Sequence, residues 1–177
     1  MIIYISMSGP SLIQQLEQLE QLKKLKKETK PTLFGIANTI RTGNFNKDDV
    51  DGSGNTALMI ACSTGLESTA LDLIQTGQSK PEHVNIKGDT ALIMACLKGL
   101  ENVALILIQT GQSNPEQVNS EGNTALMIAC LKGLENVALE LIKTGQSTPE
   151  RANNKGSTAL TIACSKSLYF VILFLKV

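Results

Sequence analysis

Residues 88–99 read GDTALIMACLKG, and closely similar stretches occur at residues 54–65, 122–133 and 156–167. Each stretch begins with a glycine, and the four glycines follow one another at intervals of 34 residues: Gly54, Gly88, Gly122 and Gly156. A fixed period of this length is the signature of a repeat array, in which each unit buries its apolar face against its neighbours. The sequence therefore predicts a stack of similar units rather than one globular core.

Each unit is predicted to contain two short helices and a loop, as the second copy illustrates. Thr90 is placed to cap the first helix through its hydroxyl, and Gly99 ends it because glycine adopts the left-handed conformation of a tight stop. A second helix with an apolar stripe is predicted over residues 100–109. Gly111 ends this helix, and the polar stretch 112–116 is predicted to form an exposed turn towards the next unit.

The composition favours packed helices and disfavours a role in gripping nucleic acid. Hydrophobic residues make up 42% of the chain and aromatic residues only 3%, with no tryptophan, so the core must be aliphatic. Such a core suits helices better than a sandwich or barrel, because strands favour aromatic and β-branched residues. Sixteen basic and sixteen acidic residues give a formal net charge of zero, whereas proteins that bind nucleic acid normally carry a basic surplus.

The recurring pattern G-x-T-A-L-x-x-A-C-x-x-G resembles the signature of ankyrin repeats, in which T-P-L-H-x-A opens the inner helix. The resemblance extends from Gly54 to about Val177, with a partial unit before it. It implies an all-α, helix-turn-helix solenoid that binds a partner protein through its concave surface, and the loop T-G-Q-S-x-P-E makes the unit one residue longer than the usual ankyrin repeat, which gives the observed period of 34 residues. The A-L-x-x-A-C core and the loop T-G-Q-S-x-P-E are also similar to the ankyrin arrays encoded by giant DNA viruses.

The chain departs from the ankyrin signature at two positions of every unit. Alanine replaces the usual proline at Ala57, Ala91, Ala125 and Ala159. Other residues replace the usual histidine: Met59, Ile93, Met127 and Thr161. The side-chain hydrogen bonds that this histidine makes between ankyrin repeats are therefore expected to be absent, which predicts a less rigid stack.

The repeat pattern divides the chain into six segments. We predict an N-terminal segment with a capping helix, a degenerate half repeat, three full repeats and a truncated last repeat, at residues 1–30, 31–53, 54–87, 88–121, 122–155 and 156–177 respectively. Apolar residues between Ser11 and Lys27 predict a helix that covers the first unit. A coiled coil is the alternative, but leucines at every third residue drift around a helix and do not keep a heptad seam. Residues 32–41 are expected to form the outer helix of the half repeat.

The last segment carries apolar residues where the earlier units are polar. Aromatic side chains stand at the positions that Glu135, Asn136 and Glu140 hold one unit earlier: Tyr169, Phe170 and Phe174. The ends of solenoids usually need a polar outer face, so two explanations are open. Either this is a truncated or decayed repeat whose apolar residues only lower solubility, or these side chains form an interface through which the protein assembles into a homodimer.

No residue pattern predicts catalysis, a cofactor or a metal site. The four cysteines occupy one repeat position: Cys62, Cys96, Cys130 and Cys164. Stacked helices lie roughly 10 Å apart, which is too far for a disulfide or a shared zinc ion, so we interpret the cysteines as small core residues. His83 lies on a loop where other units carry Gln117 or Arg151, so a general base is not expected there. The protein is expected not to be an enzyme.

Two apolar stretches are too short to be targeting or membrane segments. Residues 1–6 lack the length and the preceding positive charges of a signal peptide, and residues 168–177 are about half the length of a membrane span. The protein is therefore expected to be intracellular and cytoplasmic, in the host cytoplasm if it is viral, with no membrane contact. The sequence leaves open whether Met1 or Met7 is the start.

The resemblance places partner contacts just before the T-x-L motif and at the end of the inner helix. In the second and third units these positions hold Lys87, Asp89, Leu97, Lys98, Glu121, Asn123, Leu131 and Lys132. Leu97 and Leu131 would form a small apolar strip with a basic edge, which predicts an acidic, partly apolar partner. The protein is thus predicted to be an adaptor or scaffold that binds an unidentified protein. The alternative is a structural or self-assembling component joined through the apolar C-terminal helix.

Overall fold

The structure is a computed structural model that describes residues 10–24, 39–40, 42–43, 45–77, 79–145 and 147–176. Within these ranges the chain forms helices and turns. The β-structure of the described residues is limited to one isolated bridge between Val50 and Thr56. The helices are α1 Leu12–Lys24, α2 Ala57–Thr64, α3 Glu67–Gln75, α4 Ala91–Lys98, α5 Glu101–Gln109, α6 Ala125–Lys132, α7 Glu135–Lys143, α8 Ala159–Ser165 and α9 Tyr169–Leu175. The fold is all-α, as the sequence predicts.

The inner helices α2, α4, α6 and α8 begin at the recurring threonine. In α4 the hydroxyl oxygen of Thr90 accepts a hydrogen bond from the Ile93 N–H at 3.3 Å, and the other three threonines cap their helices in the same way. Gly99 ends α4 at a φ of 75°, and glycines end α2 and α6 likewise. Ser167 holds this position after α8 with a φ of 57°, in the region that disfavours a side chain.

The helices stack in two layers. Each inner helix packs against the inner helix of the next unit, and the outer helices α3, α5, α7 and α9 form a second row behind them. Helices of seven to nine residues are marginal in isolation, so their stability comes from this stacking. The observed architecture is therefore a helical repeat solenoid.

The aliphatic core lies between the two layers and between successive units. Six consecutive residues of α4, Ala91 to Cys96, are buried, and α2 and α6 bury the corresponding six. An amphipathic surface helix would bury only one face, but each of these helices has neighbours on both sides. In α8, which among the described helices packs against the preceding inner helix α6 and the outer helix α9, Ala159 and Ala163 are the buried residues.

Helix α1 lies against the first unit. Its side chains Leu12, Ile13, Leu16 and Leu19 are buried, and the helix packs against α2. Ser11 begins the helix, because its hydroxyl accepts from the Gln14 N–H while the Gln14 side chain accepts from the Ser11 N–H. The last residues of the predicted helix, 25–27, and most of the predicted outer helix at 32–41 lie outside the described residues.

Hydrogen bonds connect successive units, although none of those among the described residues comes from the position of the ankyrin histidine. The links come from asparagines in the turns, not from the ankyrin histidine position. Their side-chain Nδ2 groups donate from the turn before one inner helix to the turn before the preceding inner helix: Asn85 to Asn55, Asn119 to Asp89 and Asn153 to Asn123, at 2.8, 3.2 and 2.7 Å. We call these three bonds the asparagine ladder. Backbone bonds such as Ser120 N–H to the Lys87 carbonyl, at 2.7 Å, run beside it.

Candidate functional site

Each turn that precedes an inner helix is built around one side chain. In the turn before α4 the Oδ1 of Asn85 accepts hydrogen bonds from the N–H groups of Lys87 and Asp89, both at 2.9 Å. Asn119, Asn153 and Asp51 fold the other turns in the same way. This arrangement directs residues such as Lys87 outwards, where they are exposed.

The turns and the C-terminal ends of the inner helices form a surface that we call the inner surface. Its exposed charged residues, within the described part of the chain, are five lysines and one glutamate: Lys87, Lys98, Glu121, Lys132, Lys155 and Lys166. The outer helices α3, α5 and α7 carry the opposite balance, with five acids and one lysine: Glu67, Asp72, Glu101, Glu135, Glu140 and Lys143. The net charge of zero therefore conceals a basic inner surface and an acidic outer one.

The predicted contact residues Asp89 and Asn123 are buried rather than exposed. They are only 7% and 9% accessible, and their Oδ1 atoms accept the ladder bonds from Asn119 and Asn153. Burial raises the pKa of the Asp89 carboxyl, and the hydrogen bond from Asn119 lowers it, with burial the larger effect. These two residues therefore hold the turns together and present little surface to a partner.

The predicted contact residues Leu97 and Leu131 lie at equivalent positions on α4 and α6, with 38% and 46% of their surface exposed. Lys98 and Lys132 follow them and are also exposed. In the first and last units the same position holds Ser63 and Ser165. The two leucines thus form an apolar strip confined to the second and third units, and Ile86, in the turn before α4, is a further exposed apolar residue of the inner surface.

A cavity of about 300 Å³ opens beside this strip, between the third and fourth units. Leu131 and Ile162 provide its apolar side chains. Polar groups of two neighbouring turns complete its lining: Ser120, Glu121, Asn123, Asn153, Asn154, Lys155 and Ser157. The structure thus brings three of the predicted contact residues, Glu121, Asn123 and Leu131, into one depression.

A larger cavity of about 620 Å³ lies at the C-terminal ends of α3 and α5. Its lining consists of polar residues and glycines: Lys47, Gly77, Ser79, Lys80, Glu82, Gly111, Gln112 and Asn114. Binding pockets usually combine apolar walls with a few polar groups, and no apolar side chain lines this one. We therefore place the candidate site at the smaller cavity and its leucine strip, despite the larger volume elsewhere.

The C-terminal helix α9 exposes the three predicted aromatic residues and a leucine. Tyr169, Phe170 and Phe174 are 77%, 66% and 46% exposed, and Leu173, which the sequence did not single out, is 63% exposed. Val171 is buried and holds the helix against the stack.

The position of Phe170 interrupts a second set of links between units. Asn102 donates to Glu67 on the preceding outer helix, and Asn136 donates to Glu101, at 2.9 and 2.7 Å. Phe170 stands at the next position in this series and has no group to donate to Glu135. The last unit therefore lacks this outer link.

The cysteine positions differ from the expectation in one respect. Cys62, Cys96 and Cys130 are buried, and burial raises the pKa of each thiol to about 12. Cys164 is exposed, on a helix that packs against α6 and α9 among the described residues. The described residues contain no group of three histidine, cysteine or acidic side chains that could hold a metal ion, and among them no helix has the length and apolar character needed to cross a bilayer.

The asparagine ladder is the main feature that the sequence prediction missed. Its signal was present, because Asp51, Asn85, Asn119 and Asn153 each stand three residues before a turn glycine. The acceptor position four residues further on, asparagine or aspartate in the ladder, is one where the ankyrin resemblance predicts a partner contact. The link itself joins residues 30 positions apart, and no local pattern predicts such a pairing.

Stacked helix pairs with capped inner helices and turn-to-turn links define the class of helical repeat solenoids. The family model for ankyrin repeats, which spans three copies, matches residues 13–115 and 106–176. The chain therefore belongs to the ankyrin repeat family. Ankyrin repeats are generally protein–protein interaction modules, and the family is typically non-catalytic. A comparison with curated proteins gives no match.

Proposed function

We propose that this protein is an adaptor or scaffold that binds a partner protein through its inner surface, the surface that the ankyrin resemblance describes as concave. The observation that carries the proposal is the pair of half-exposed leucines, Leu97 and Leu131, on adjacent inner helices. Burying the exposed part of a leucine is worth about 1 kcal/mol, since burying a whole leucine is worth roughly 1.5–3 kcal/mol. Two such anchors side by side favour a specific contact.

The charges around the strip indicate an acidic partner. Lys98 and Lys132 border the leucines, Lys87 and Lys155 lie on the turns, and Glu121 is the exposed acid among them. The ion pairs of the described residues, Lys80–Asp48 and Lys143–Glu140, involve none of these lysines. Complementary charge speeds encounter and excludes basic partners. The contact proposed is therefore with an acidic, partly apolar protein segment.

The test is to replace the apolar side chains of the strip by negatively charged ones without unfolding the protein. We expect the double variant Leu97→Glu/Leu131→Glu to lose partners that the wild-type protein captures in quantitative proximity labelling. Val50→Glu/Val84→Glu is the matched control, because it places the same charges on two apolar residues of similar exposure, 45% and 37%, outside the leucine strip and α9. Unchanged labelling by the strip variant would exclude the strip as the binding surface.

Stability measurements decide whether the leucines act in binding or in packing. Because both are partly exposed, we expect the strip variant to lose about 1–2 kcal/mol of unfolding free energy in urea. Leu126→Ala, at a fully buried position, should alone cost about 2–5 kcal/mol. A strip variant less stable than Leu126→Ala would show that the leucines belong to the core.

The second candidate function is self-assembly into a homodimer through α9. The four exposed residues Tyr169, Phe170, Leu173 and Phe174 favour it, since apolar patches of this kind mark interaction sites or impair solubility. Phe170→Asn/Phe174→Glu restores the residues of α7 and with them the donor to Glu135, so it should not destabilise the stack. If α9 mediates assembly, light scattering over a concentration series should show a dimer for wild type and a monomer for this variant. A monomeric wild type would leave these residues as a decayed repeat.

The proposal includes an intracellular, cytoplasmic location, which in a giant DNA virus would be the host cytoplasm. The four free cysteines, one of them exposed, support it, because thiols persist in reducing compartments. Fluorescent tagging at the N-terminus would test the location. Secretion of the tagged protein would contradict it.

A further inference from the structure

We propose that the inner surface selects an acidic segment in the polyproline II conformation, with an acidic side chain at every third position and an apolar side chain beside the first two acids. This inference rests on the proposed function and adds to it the conformation and the spacing of the ligand. It starts from the row of lysines at one repeated position.

Lys98, Lys132 and Lys166 occupy the same position at the ends of α4, α6 and α8, and all three are exposed. In the first unit the position holds Thr64, so the row begins at the second unit. Adjacent inner helices pack against each other, and packed helices lie about 8–10 Å apart. The row is therefore a series of positive charges with that spacing, parallel to the axis of the stack.

The conformation of a ligand along this row follows from its rise per residue. A polyproline II helix has three residues per turn and rises about 3.1 Å per residue, so every third side chain points the same way about 9 Å further on. A β-strand covers a similar distance in three residues, but its third side chain points to the opposite face. An α-helix needs about seven residues, and its diameter of about 10 Å keeps most of it off the row. Polyproline II is thus the conformation that matches both distance and direction.

The leucine strip fixes the neighbouring ligand position. Leu97 and Leu131 immediately precede two of the lysines and are separated by the same unit spacing. A ligand whose acids face the lysine row therefore presents the adjacent residue of each turn to the strip. Ser165 stands before Lys166, so the third turn of the ligand requires no apolar residue. The resulting pattern is acid, apolar, any residue, repeated twice and followed by an acid.

The experiment compares two capped peptides of equal composition, ELPELPE and LPEEELP. The first places its acids three residues apart, and the second places them together. By fluorescence anisotropy at low salt we expect the first to bind the full-length protein about tenfold more tightly, because only its acids can pair with all three lysines. The preference is no larger than this because each exposed ion pair contributes only modestly to binding. The variant Lys98→Glu/Lys132→Glu should remove this preference and should instead bind KLPKLPK. Lys47→Glu/Lys143→Glu, which makes the same charge change outside the inner surface, should retain the preference.

The outcomes separate this inference from the proposed function. Equal binding of the two acidic peptides, lost together in Lys98→Glu/Lys132→Glu, would overturn the spacing and leave an acidic partner standing. Absence of binding by either peptide, with labelling still lost in Leu97→Glu/Leu131→Glu, would overturn the inference alone. Labelling that survives in the leucine variant would overturn the proposed function itself. If Lys98→Glu/Lys132→Glu still prefers ELPELPE over LPEEELP, another surface binds the peptide and the inference is wrong.

Discussion

The asparagine ladder can be tested by an exchange that alters one atom of the link. Asn119→Asp keeps the Oδ1 that accepts from the N–H groups of Glu121 and Asn123, so the turn itself is preserved. The Nδ2 group that donates to Asp89 Oδ1 at 3.2 Å is replaced by an oxygen. The change therefore removes the side-chain link between the turns before α4 and α6 and places two carboxylates face to face.

The expected cost has two parts. Loss of the hydrogen bond removes about 1 kcal/mol. Two unit charges about 4 Å apart repel by about 4 kcal/mol at an effective dielectric constant of 20, and this value must be reduced because Asn119 is only partly buried and solvent screens it. We expect Asn119→Asp to lower the unfolding free energy by about 2–3 kcal/mol, which is large for a half-exposed polar residue.

The matched control is Asn153→Asp, which makes the same exchange one unit later. Its partner Asn123 is an amide, whose rotation presents the Nδ2 to the new carboxylate in exchange for its hydrogen bond to the exposed Glu121, so the cost should be about 1 kcal/mol. Asn119→Asp combined with Asp89→Asn exchanges donor and acceptor and should recover most of the loss. Urea unfolding followed by circular dichroism gives the three values, provided that the m-value is unchanged.

The pH dependence provides an independent check. Burial already raises the Asp89 pKa from its ordinary value of 3.8, and a second carboxylate would raise it further. A raised pKa in the folded state means that stability is present at low pH and is lost as the pH rises through that value. The penalty of Asn119→Asp relative to Asn153→Asp should therefore shrink on acidification. Equal costs for the two variants at neutral pH would refute the role of the ladder in coupling the units.

Three further predictions concern single positions. Gly88→Ala should lower the unfolding free energy in urea by at least about 1 kcal/mol more than Gly156→Ala. Both glycines have φ near 75°, but of the two only Gly88 would bring a Cβ to 2.8 Å from the carbonyl oxygen of Val118. Equal losses would contradict this. Ser167→Gly should raise the melting temperature, since it relieves a left-handed serine at a cost of about 1 kcal/mol, and a lower melting temperature would show that the serine is unstrained. A thiol reagent at pH 8 should label Cys164 rapidly in the native protein and the buried Cys62, Cys96 and Cys130 only after unfolding; rapid labelling of all four would contradict the burial.

The helices could be predicted because their signals are local. Thr90 and Gly99 bracket α4, and both act within a few residues of their own position through a side-chain cap and a left-handed stop. The repeat period then fixes the order of the units. The stacking partner of each helix follows from the same period, since similar units can bury their apolar faces only against one another.

The contact positions were harder to predict, because variation between units has two physical causes. Position 97 varies between leucine and serine at a site that is partly exposed, as expected where packing sets few limits. Position 89 varies because asparagine and aspartate both offer an Oδ1 acceptor to the ladder. The hydrogen bond from Asn119 identifies position 89 as a buried ladder acceptor and not an exposed contact position. No sequence pattern distinguishes these two kinds of variable position.

The ladder and the proposed ligand spacing are linked by the same geometry. The turns fix the N-terminal ends of the inner helices relative to one another, and Lys98 and Lys132 lie at the opposite ends of two helices only eight residues long. If the Asn119–Asp89 bond holds this spacing, Asn119→Asp should weaken binding of ELPELPE while LPEEELP, whose clustered acids need no particular spacing, is affected little. Asn153→Asp should preserve the preference for ELPELPE. A uniform loss of affinity for both peptides would instead indicate that the new negative charge acts by simple repulsion, and the spacing would then be set by packing of the helices alone.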